Sequence, residues 1–311
     1  MKTSWHILGA GSIGCLFAAK LDKAGCKTTL IFKKLVDYRA SRPTSFSFQL
    51  HTPTETLKLT MPASYAEDID PIGHLLITTK AYDAIDAVAS IAHRLDTNSH
   101  VVLLVNGMGL LEQLEEKFPQ LSFYVGTTTE GAYRRSRRDI VHAGTGITKL
   151  GRRDTTRPPP WFSAFKSLEV SCRWESEIDR ALWQKLAINC AVNPLTAVHR
   201  CLNGELKTRA DLAEKLGHLC DEIAAIATAA GQSELAVRLH QQVSKVVSDT
   251  AANRSSMLQD IDAKRRTEID YISGYLIQTA AELNIRATLN EELLAEIRKL
   301  ELSMPIGKDL G

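Results

Sequence analysis

Three polar side chains recur at four-residue spacing on an otherwise apolar stretch, RALWQKLAINCAVN at 180–193: Lys185, Asn189 and Asn193. At about 100° per residue, each step of four residues turns a helix by only about 40°, so the three project along one stripe. An ammonium donates hydrogen bonds, and amides both donate and accept them. We interpret the stripe as the place to which the rest of the chain brings a cofactor and a substrate.

Each member of the stripe also has a structural explanation. A lysine on an apolar helix commonly extends its ammonium to the surface, and Asn189 can bond to a neighbouring helix. Asn193 precedes Pro194. Because the residue before a proline is pushed out of the α region, we expect the helix to end or kink at Asn193.

A glycine turn follows the first β-prone run, which spans residues 4–8. The run leads through GAGSIG at 9–14 into an apolar helical pattern that Gly25 closes, and a second strand follows at 26–32. The pattern GxGxxG thus stands in the strand–turn–helix–strand context of dinucleotide binding. A glycine turn without a ligand is the alternative.

Each glycine of GAGSIG has its own expected task. Gly9 permits the turn, Gly11 lets a pyrophosphate approach the backbone, and Gly14 lets helix and strand pack closely. The helix N-terminus offers unpaired N–H groups and a positive dipole end to the phosphates.

The residues after the second strand distinguish NAD from NADP. NAD binders usually place Asp or Glu about 20 residues beyond the glycines, where it holds the ribose 2′-hydroxyl. Here the sequence is Phe32-Lys33-Lys34. Two cations suit a 2′-phosphate, so we predict NADP(H), with Lys33 the better candidate because it comes first after the strand. Ordinary solvated lysines are the alternative.

The following segments extend an α/β pattern. Ligands of open α/β sheets bind beyond the carboxyl ends of the strands, and Lys80 and Asn106 follow two apolar strands. A solvated loop lysine and a plain turn asparagine are the alternatives. The predicted elements are short antiparallel strands within 38–62, buried strands at 74–80 and 100–105, a helix at 82–95, a strand from 122, a β-hairpin over 140–151, a helix at 161–168 and a strand at 169–174.

Strand signals nearly vanish beyond Arg180. Helical patterns cover 207–231, 235–250 and 290–302, and a serine N-cap at Ser255-Ser256 opens a long helix. We predict the α/β class, with an N-terminal Rossmann-type dinucleotide-binding domain over 1–177 and an all-α substrate and catalytic domain over 178–311. A chain of 311 residues fits two domains.

The amino-acid composition indicates which classes of binding partner to expect. Lys and Arg number 38 against 36 Asp and Glu, which argues against nucleic acid or an anionic membrane and favours small molecules. We interpret the arginines of 134–138 as a solvated hairpin tip rather than an RNA or phosphate contact. With no apolar run of membrane length, we expect a soluble cytoplasmic protein. The six cysteines lack metal-ligand spacing, which predicts buried thiols and no metal site: Cys15, Cys26, Cys172, Cys190, Cys201 and Cys220.

Longer motifs resemble those of the ketopantoate reductase (2-dehydropantoate 2-reductase) family over almost the whole chain. They are GAGSIG, ITTKAYDA, LLVNGMG, GTTTEGA, ALWQKLAINCAVNPLTAV, NGEL and SSMLQDIDAKRRTEIDYISGYL. The resemblance implies NADPH-dependent reduction of 2-dehydropantoate to pantoate, a step toward pantothenate and coenzyme A.

The resemblance also implies roles for particular residues. The family's lysine acid falls on Lys185. Its substrate-binding side chains fall on Asn106, Asn189, Asn193, Asn203 and Ser256. Its cofactor contacts fall on Gly9, Ala10, Gly11, Ser12, Ile13, Gly14, Lys33, Lys80, Asn106, Ala132 and Glu268. Lys33 stands where the family often has arginine and lacks the planar fork for a phosphate. We assign no role to Glu130 from the resemblance.

These assignments give a hypothesis for the reaction. Lys185 protonates the alkoxide that forms as hydride from the cofactor reaches C2 of the substrate. Desolvation would lower the pKa of Lys185, and Glu268 would oppose that shift. The asparagines and Ser256 would hold the substrate without adding charge. In purely structural terms, Ser256 is an N-cap and Glu268 a solvated residue beside two arginines.

Two other functions fit the same residues. One is an NADP-dependent reductase of another branched 2-oxo acid, and the other is a non-enzymatic NADP(H)-sensing protein. The number of subunits is open.

Overall fold

The structure, a computed structural model, describes residues 3–33, 42–168 and 171–303. The chain divides into two compact units. The sheet unit comprises Met1–Val105 and Leu110–Ile178, and the helical unit comprises Asn106–Gly109 and Asp179–Gly311. An α/β region followed by a helical region confirms the predicted fold class. The assignment of cofactor binding to 1–177 and of substrate binding to 178–311 stays a prediction.

The sheet unit contains eleven strands in the described ranges, in the order β11-β10-β7-β6-β5-β1-β2-β4-β3-β9-β8. Its elements are β1 Ser4–Leu8, α1 Ser12–Lys23, β2 Lys27–Phe32, β3 Ser45–His51, β4 Thr56–Tyr65, β5 His74–Ile77, α2 Ala81–Ile91, β6 His100–Leu103, α3 Leu110–Lys117, β7 Ser122–Thr128, β8 Gly131–Ser136, β9 Asp139–Gly144, β10 Ile147–Gly151, α4 Phe162–Lys166 and β11 Ser171–Trp174.

Parallel pairing runs through the middle of this sheet, from β7 across β6, β5 and β1 to β2. The central strands are short and almost continuously apolar, as expected where both faces of a parallel sheet are covered. Their carboxyl ends lead into the glycine turn after Leu8, into Lys80 and into Asn106. The predicted antiparallel strands also form, as β3 and β4. The first part of the predicted 38–62 segment, up to residue 41, lies outside the described residues.

Helix α1 is buried along most of its length. Leu16 and Phe17 share one hydrophobic core with Trp5 of β1, Phe48 of β3 and Ile140 of β9. The helix therefore packs against the parallel strands and against the distant end of the sheet. Gly25 closes it with φ +84°, and Cys26 N–H donates to Leu21 O at 3.0 Å, as the predicted glycine cap requires.

The predicted hairpin over 140–151 is wrong. Strand β9 pairs with β8 and β3, whereas β10 pairs with β7 and β11. The chain changes partners between them at Gly144–Gly146, where a Cβ on Gly146 would overlap the backbone of Thr129 and Glu130. The hairpin is instead β8–β9, and its turn carries Arg137 and Arg138.

The helical unit contains seven α-helices in the described ranges and a 3-10 turn at Ile269–Tyr271. The helices are α5 Ile178–His199, which begins at the last residue of the sheet unit, α6 Glu205–Thr208, α7 Ala210–Ala229, α8 Ser233–Asp249, α9 Ser256–Asp262, α10 Ser273–Glu282 and α11 Thr288–Leu302. One hydrophobic core joins them, and α7 contributes apolar residues at helical spacing: Leu212, Leu216, Leu219, Ile223 and Ile226. None of the described helices combines the length and hydropathy that a membrane span needs.

The helix does not end at Asn193, which was one of the two outcomes predicted there. Helix α5 continues through Pro194 to His199, although a proline ring removes one backbone hydrogen bond and crowds the carbonyl of the residue four positions earlier. The Thr196 hydroxyl adds bonds in this turn, at 2.9 Å to Val192 O and 3.0 Å to Asn193 O.

The long helix predicted after the serine pair is interrupted. Helix α9 ends at Asp262, where Lys264 adopts a left-handed φ of +55°. Arg265 N–H then donates to Asp260 O at 2.8 Å. At the other end the N-cap is Ser255 rather than Ser256, since the Ser255 hydroxyl accepts from Leu258 N–H at 3.1 Å.

The six cysteines are free thiols. Five are buried as predicted, and Cys172 is half-buried.

Candidate active site

A lysine, an asparagine and a glutamate form a hydrogen-bonded chain within the helical unit. Lys185 Nζ donates to Asn106 Oδ1 at 2.8 Å. Asn106 Nδ2 donates to Glu268 Oε2 at 2.9 Å. Asn106 thus uses both ends of its amide, and a cation and an anion determine which end faces which.

Backbone geometry around Asn106 holds this chain together. Gly107 has φ +87°, a conformation that favours glycine. A Cβ there would overlap the backbone of Tyr271. Met108 N–H donates to Tyr271 O at 2.9 Å. The segment therefore lies directly against the 3-10 turn that Glu268 precedes, which positions Asn106 beside the carboxylate.

Desolvation lowers the pKa of Lys185 from 10.5 to about 8, and the charge of Glu268 partly opposes the shift. The two effects expected from the sequence, desolvation of Lys185 and the opposing charge of Glu268, are both present. Glu268 is itself only 5% exposed. The Lys185 ammonium is therefore mostly charged at neutral pH, with a pKa close enough to neutrality for proton donation.

The amides of the predicted stripe continue along α5 from Lys185. Asn189 is half-buried and Asn193 is buried. The Thr196 hydroxyl bonds both to Asn193 O and to Ser255 Oγ, the latter at 2.7 Å. This link places the start of α9 beside the Asn193 end of the stripe. Ser256, the first residue of α9, is exposed.

Asn203 is buried in the connection between α5 and α6. Its Nδ2 donates to Thr250 Oγ1 at 2.9 Å, and its backbone N–H donates to Asn253 O at 3.0 Å. Its Oδ1 is buried without a hydrogen-bond partner among the described residues. A buried acceptor without a donor is destabilising, so this oxygen suits a hydroxyl supplied by a ligand.

In the sheet unit, the glycine turn has a shape that fits a dinucleotide. Gly9 has φ +104°, and Gly11 N–H donates to Gly9 O at 2.7 Å. A Cβ on Gly14 would overlap Gly9 O, so only glycine allows α1 to approach the turn this closely. A Cβ on Gly11 would point into open space, with the nearest atoms 4.0 Å away. Phosphate oxygens can therefore approach the backbone at Gly11, at the N-terminus of α1.

The remaining predicted cofactor residues also lie in the sheet unit. The Lys33 side chain is 79% exposed, and its Nζ is 3.7 Å from Asp83 Oδ1. Lys34 lies outside the described residues. Lys80 is half-buried at the N-cap position of α2. Ala132 lies in β8 opposite His142, and Ala10, Ser12 and Ile13 are half-buried in the glycine turn and first turn of α1.

A buried ion cluster in the sheet unit escaped sequence reasoning. The Glu130 side chain is 0% exposed, and its Oε2 lies 2.9 Å from Lys20 Nζ and 2.5 Å from His142 Nε2. Its Oε1 accepts from Gly146 N–H at 3.1 Å. The sequence offered one indication of this cluster. Side chains alternate between the two faces of a strand, so His142 of β9 lies on the same inward face as Ile140.

The chain matches two family models. The model described as ketopantoate reductase PanE/ApbA matches residues 5–155, and the model of its C-terminal region matches residues 177–301. The chain belongs to the ketopantoate reductase family. The predicted family and enzyme class, an oxidoreductase, are thereby confirmed.

Individual relatives agree with the family assignment. A protein named 2-dehydropantoate 2-reductase from Vibrio cholerae is 33% identical over 305 residues, which are 96% of this chain and 97% of its own. The crystal structure of a probable 2-dehydropantoate 2-reductase from Bacillus subtilis has a TM-score of 0.77 and 26% identity, covering 96% and 99% of the two chains. The ternary structure of D-mandelate dehydrogenase with NADH and anilino(oxo)acetate shares the fold, with a TM-score of 0.84, 19% identity and coverage of 97% and 99%.

Proposed function

We propose that this ketopantoate reductase family member reduces 2-dehydropantoate to pantoate with NADPH, toward pantothenate and coenzyme A. The observation that carries the proposal is the Lys185–Asn106–Glu268 chain, which holds a lysine of lowered pKa in a defined orientation. The relative from Vibrio cholerae, 33% identical to this chain, supports the substrate. We assign cofactor binding to residues 1–177 and substrate binding to residues 178–311.

In this proposal the glycine turn and the N-terminus of α1 hold the diphosphate of the cofactor. The positive φ of Gly9 and the open space at Gly11 support this role. Lys33 provides a charge for the 2′-phosphate, and its 79% exposure leaves its ammonium accessible to that group. Lys80 and Ala132 add further cofactor contacts, and Glu268 is the one proposed cofactor contact outside residues 1–177.

Lys185 is the general acid. NADPH, when bound, supplies the hydride that adds to C2 of the substrate. Lys185 Nζ then donates its proton to the oxygen on C2, where negative charge develops. Asn106 Oδ1 accepts from the same ammonium and so directs it, while Glu268 keeps it charged until it is used.

The substrate is held by neutral groups. Asn189 and Asn193 follow Lys185 along α5, and Ser256 opens the helix that Thr196 ties to the same end of α5. Asn203 contributes the buried Oδ1 that suits a hydroxyl. Amides and hydroxyls recognise carboxylate and hydroxyl without adding charge beside the lysine.

The test measures NADPH oxidation by the purified chain with 2-dehydropantoate, with other branched 2-oxo acids, and with NADH in place of NADPH. We expect 2-dehydropantoate and NADPH to give the highest kcat/KM. A higher value with another acid would favour the alternative reductase. Tight NADPH binding without turnover of any acid would favour the sensor.

The matched variants Lys185→Ala and Gln184→Ala test the role of the lysine. We expect Lys185→Ala to lower kcat by about 10²-fold or more while its Kd for NADPH stays close to that of the unmodified chain. Gln184 neighbours Lys185 on α5 but lies outside the proposed site, so Gln184→Ala should retain activity. Near-normal turnover by Lys185→Ala would contradict the assignment.

A further inference from the structure

The β8–β9 hairpin reaches the glycine turn, although its strands lie at the far end of the sheet order. Arg134 of β8 donates a hydrogen bond from its guanidinium to Ala10 O, in the middle of GAGSIG. The same hairpin contributes Ile140 to the core that encloses α1. One member of the arginine run is therefore part of the surroundings of the glycine turn rather than of a remote tip.

The buried Glu130 cluster holds this hairpin in place. Glu130 precedes β8, and its carboxylate contacts Lys20 of α1 and His142 of β9. Helix α1 and both sides of the hairpin thus meet at one carboxylate inside the protein. Since removing one partner of a buried ion cluster is strongly destabilising, the cluster fixes the hairpin against the helix whose N-terminus follows the glycine turn.

The position of Arg134 suits an anion. A guanidinium has five N–H donors, and the exposed side chain of Arg134 lies against the glycine turn, where it donates to Ala10 O. The positive charge of Arg134 acts on the first turn of α1. Burial raises the pKa of the Cys15 thiol in that turn to about 11, and the charge of Arg134 partly opposes this rise. The helix N-terminus adds its own positive potential there, and the space beside Gly11 is open.

We propose that Arg134 binds the diphosphate of the dinucleotide, carried to the glycine turn by the β8–β9 hairpin. This inference rests on the proposed function, which places that diphosphate beside Gly11. Guanidinium and phosphate match in geometry and pair by two parallel hydrogen bonds. The diphosphate is common to NADH and NADPH, whereas the 2′-phosphate assigned to Lys33 belongs to NADPH alone. Arg134 therefore sets affinity for both dinucleotides, and Lys33 sets the preference between them.

The experiment titrates NADPH and NADH, without substrate, into the unmodified chain and into Arg134→Ala, Arg137→Ala and Lys33→Ala. Arg137 is the matched control, because it is an exposed arginine at the turn of the same hairpin. We expect Arg134→Ala to raise Kd for both dinucleotides by about 10-fold or more, the range for a charged hydrogen bond. Arg137→Ala should bind like the unmodified chain, and Lys33→Ala should lose affinity for NADPH alone.

Melting temperatures of the same variants separate binding from a structural role. A lower melting temperature of Arg134→Ala with unchanged Kd values would mean that Arg134 only stabilises the hairpin, and it would overturn the inference. Kd values of Arg134→Ala equal to those of Arg137→Ala would also overturn it. A loss of affinity for NADPH alone would overturn it as well, because it would assign Arg134 to the 2′-phosphate. An unmodified chain that binds neither dinucleotide would overturn the proposed function as well, whereas the other outcomes leave it standing.

Discussion

Replacing Glu268 by Gln should move the pH range over which Lys185 can donate a proton. The substitution removes a buried negative charge but keeps a side chain that can accept the Asn106 Nδ2–H bond. Glu268 favours the charged form of Lys185, so its neutralisation lowers the lysine pKa below about 8. With one amide between the charges, a separation of about 6 Å and an effective dielectric constant of about 20 give an attraction of about 3 kcal/mol.

That attraction corresponds to about two pKa units, and salt screens it little because both groups are shielded from solvent. The assay is the pH dependence of kcat/KM for 2-dehydropantoate at saturating NADPH. Activity requires protonated Lys185, so the profile is flat at low pH and falls above the lysine pKa. We expect the fall near pH 8 in the unmodified chain and up to about two units lower in Glu268→Gln.

Glu268→Asp is the matched control, because it retains the charge and should keep the fall within a few tenths of a unit of its normal position. A Glu268→Gln profile that falls at the same pH as the unmodified chain would refute the electrostatic coupling. If only the KM for NADPH changed, Glu268 would act in cofactor binding and would have no effect on the pKa of Lys185.

Three further predictions concern stability, each measured by urea unfolding. Because folding lowers the Lys185 pKa from 10.5 to about 8, the charge destabilises the fold below pH 8, and this effect fades as pH rises to the unfolded value. Between pH 8 and pH 10.5 the free energy of unfolding of the unmodified chain should therefore rise by up to about 3 kcal/mol relative to that of Lys185→Met, and parallel pH dependences of the two proteins would contradict the desolvation argument. Gly14→Ala should lower stability by about 1–3 kcal/mol, because its Cβ would overlap Gly9 O, whereas Gly11→Ala should change stability little but weaken dinucleotide binding. Equal stability losses in the two variants would contradict the open space inferred at Gly11. Glu130→Gln should lose about 3–5 kcal/mol by leaving the Lys20 ammonium without its buried carboxylate partner, compared with under about 1 kcal/mol for Glu112→Gln, whose partner Arg153 is exposed.

Local patterns in the sequence were enough to predict much of the candidate site. The four-residue spacing of the polar stripe indicated a helix, and α5 places Lys185, Asn189 and Asn193 along it. The glycine pattern predicted both the turn at Gly9 and the close packing at Gly14, because those demands are steric and act between near neighbours.

Contacts between distant residues were beyond this reasoning. Asn106 and Glu268 are 162 positions apart, and neither residue type indicates the other. The alternation in β9 and β10 predicted strands, but not that each would pair elsewhere. The break after α9 depends on a left-handed lysine at 264, a conformation that the residue type does not signal.

The segment Asn106–Gly109 leaves the sheet unit for four residues and returns to it at Leu110. A chimera of two family members joined only at residue 178 would therefore take Asn106 from one parent and Lys185 and Glu268 from the other. All three residues of the hydrogen-bonded trio come from one parent only if this tetrapeptide is exchanged together with the C-terminal half. Such an exchange has three junctions, one before Asn106, one after Gly109 and one near Ile178.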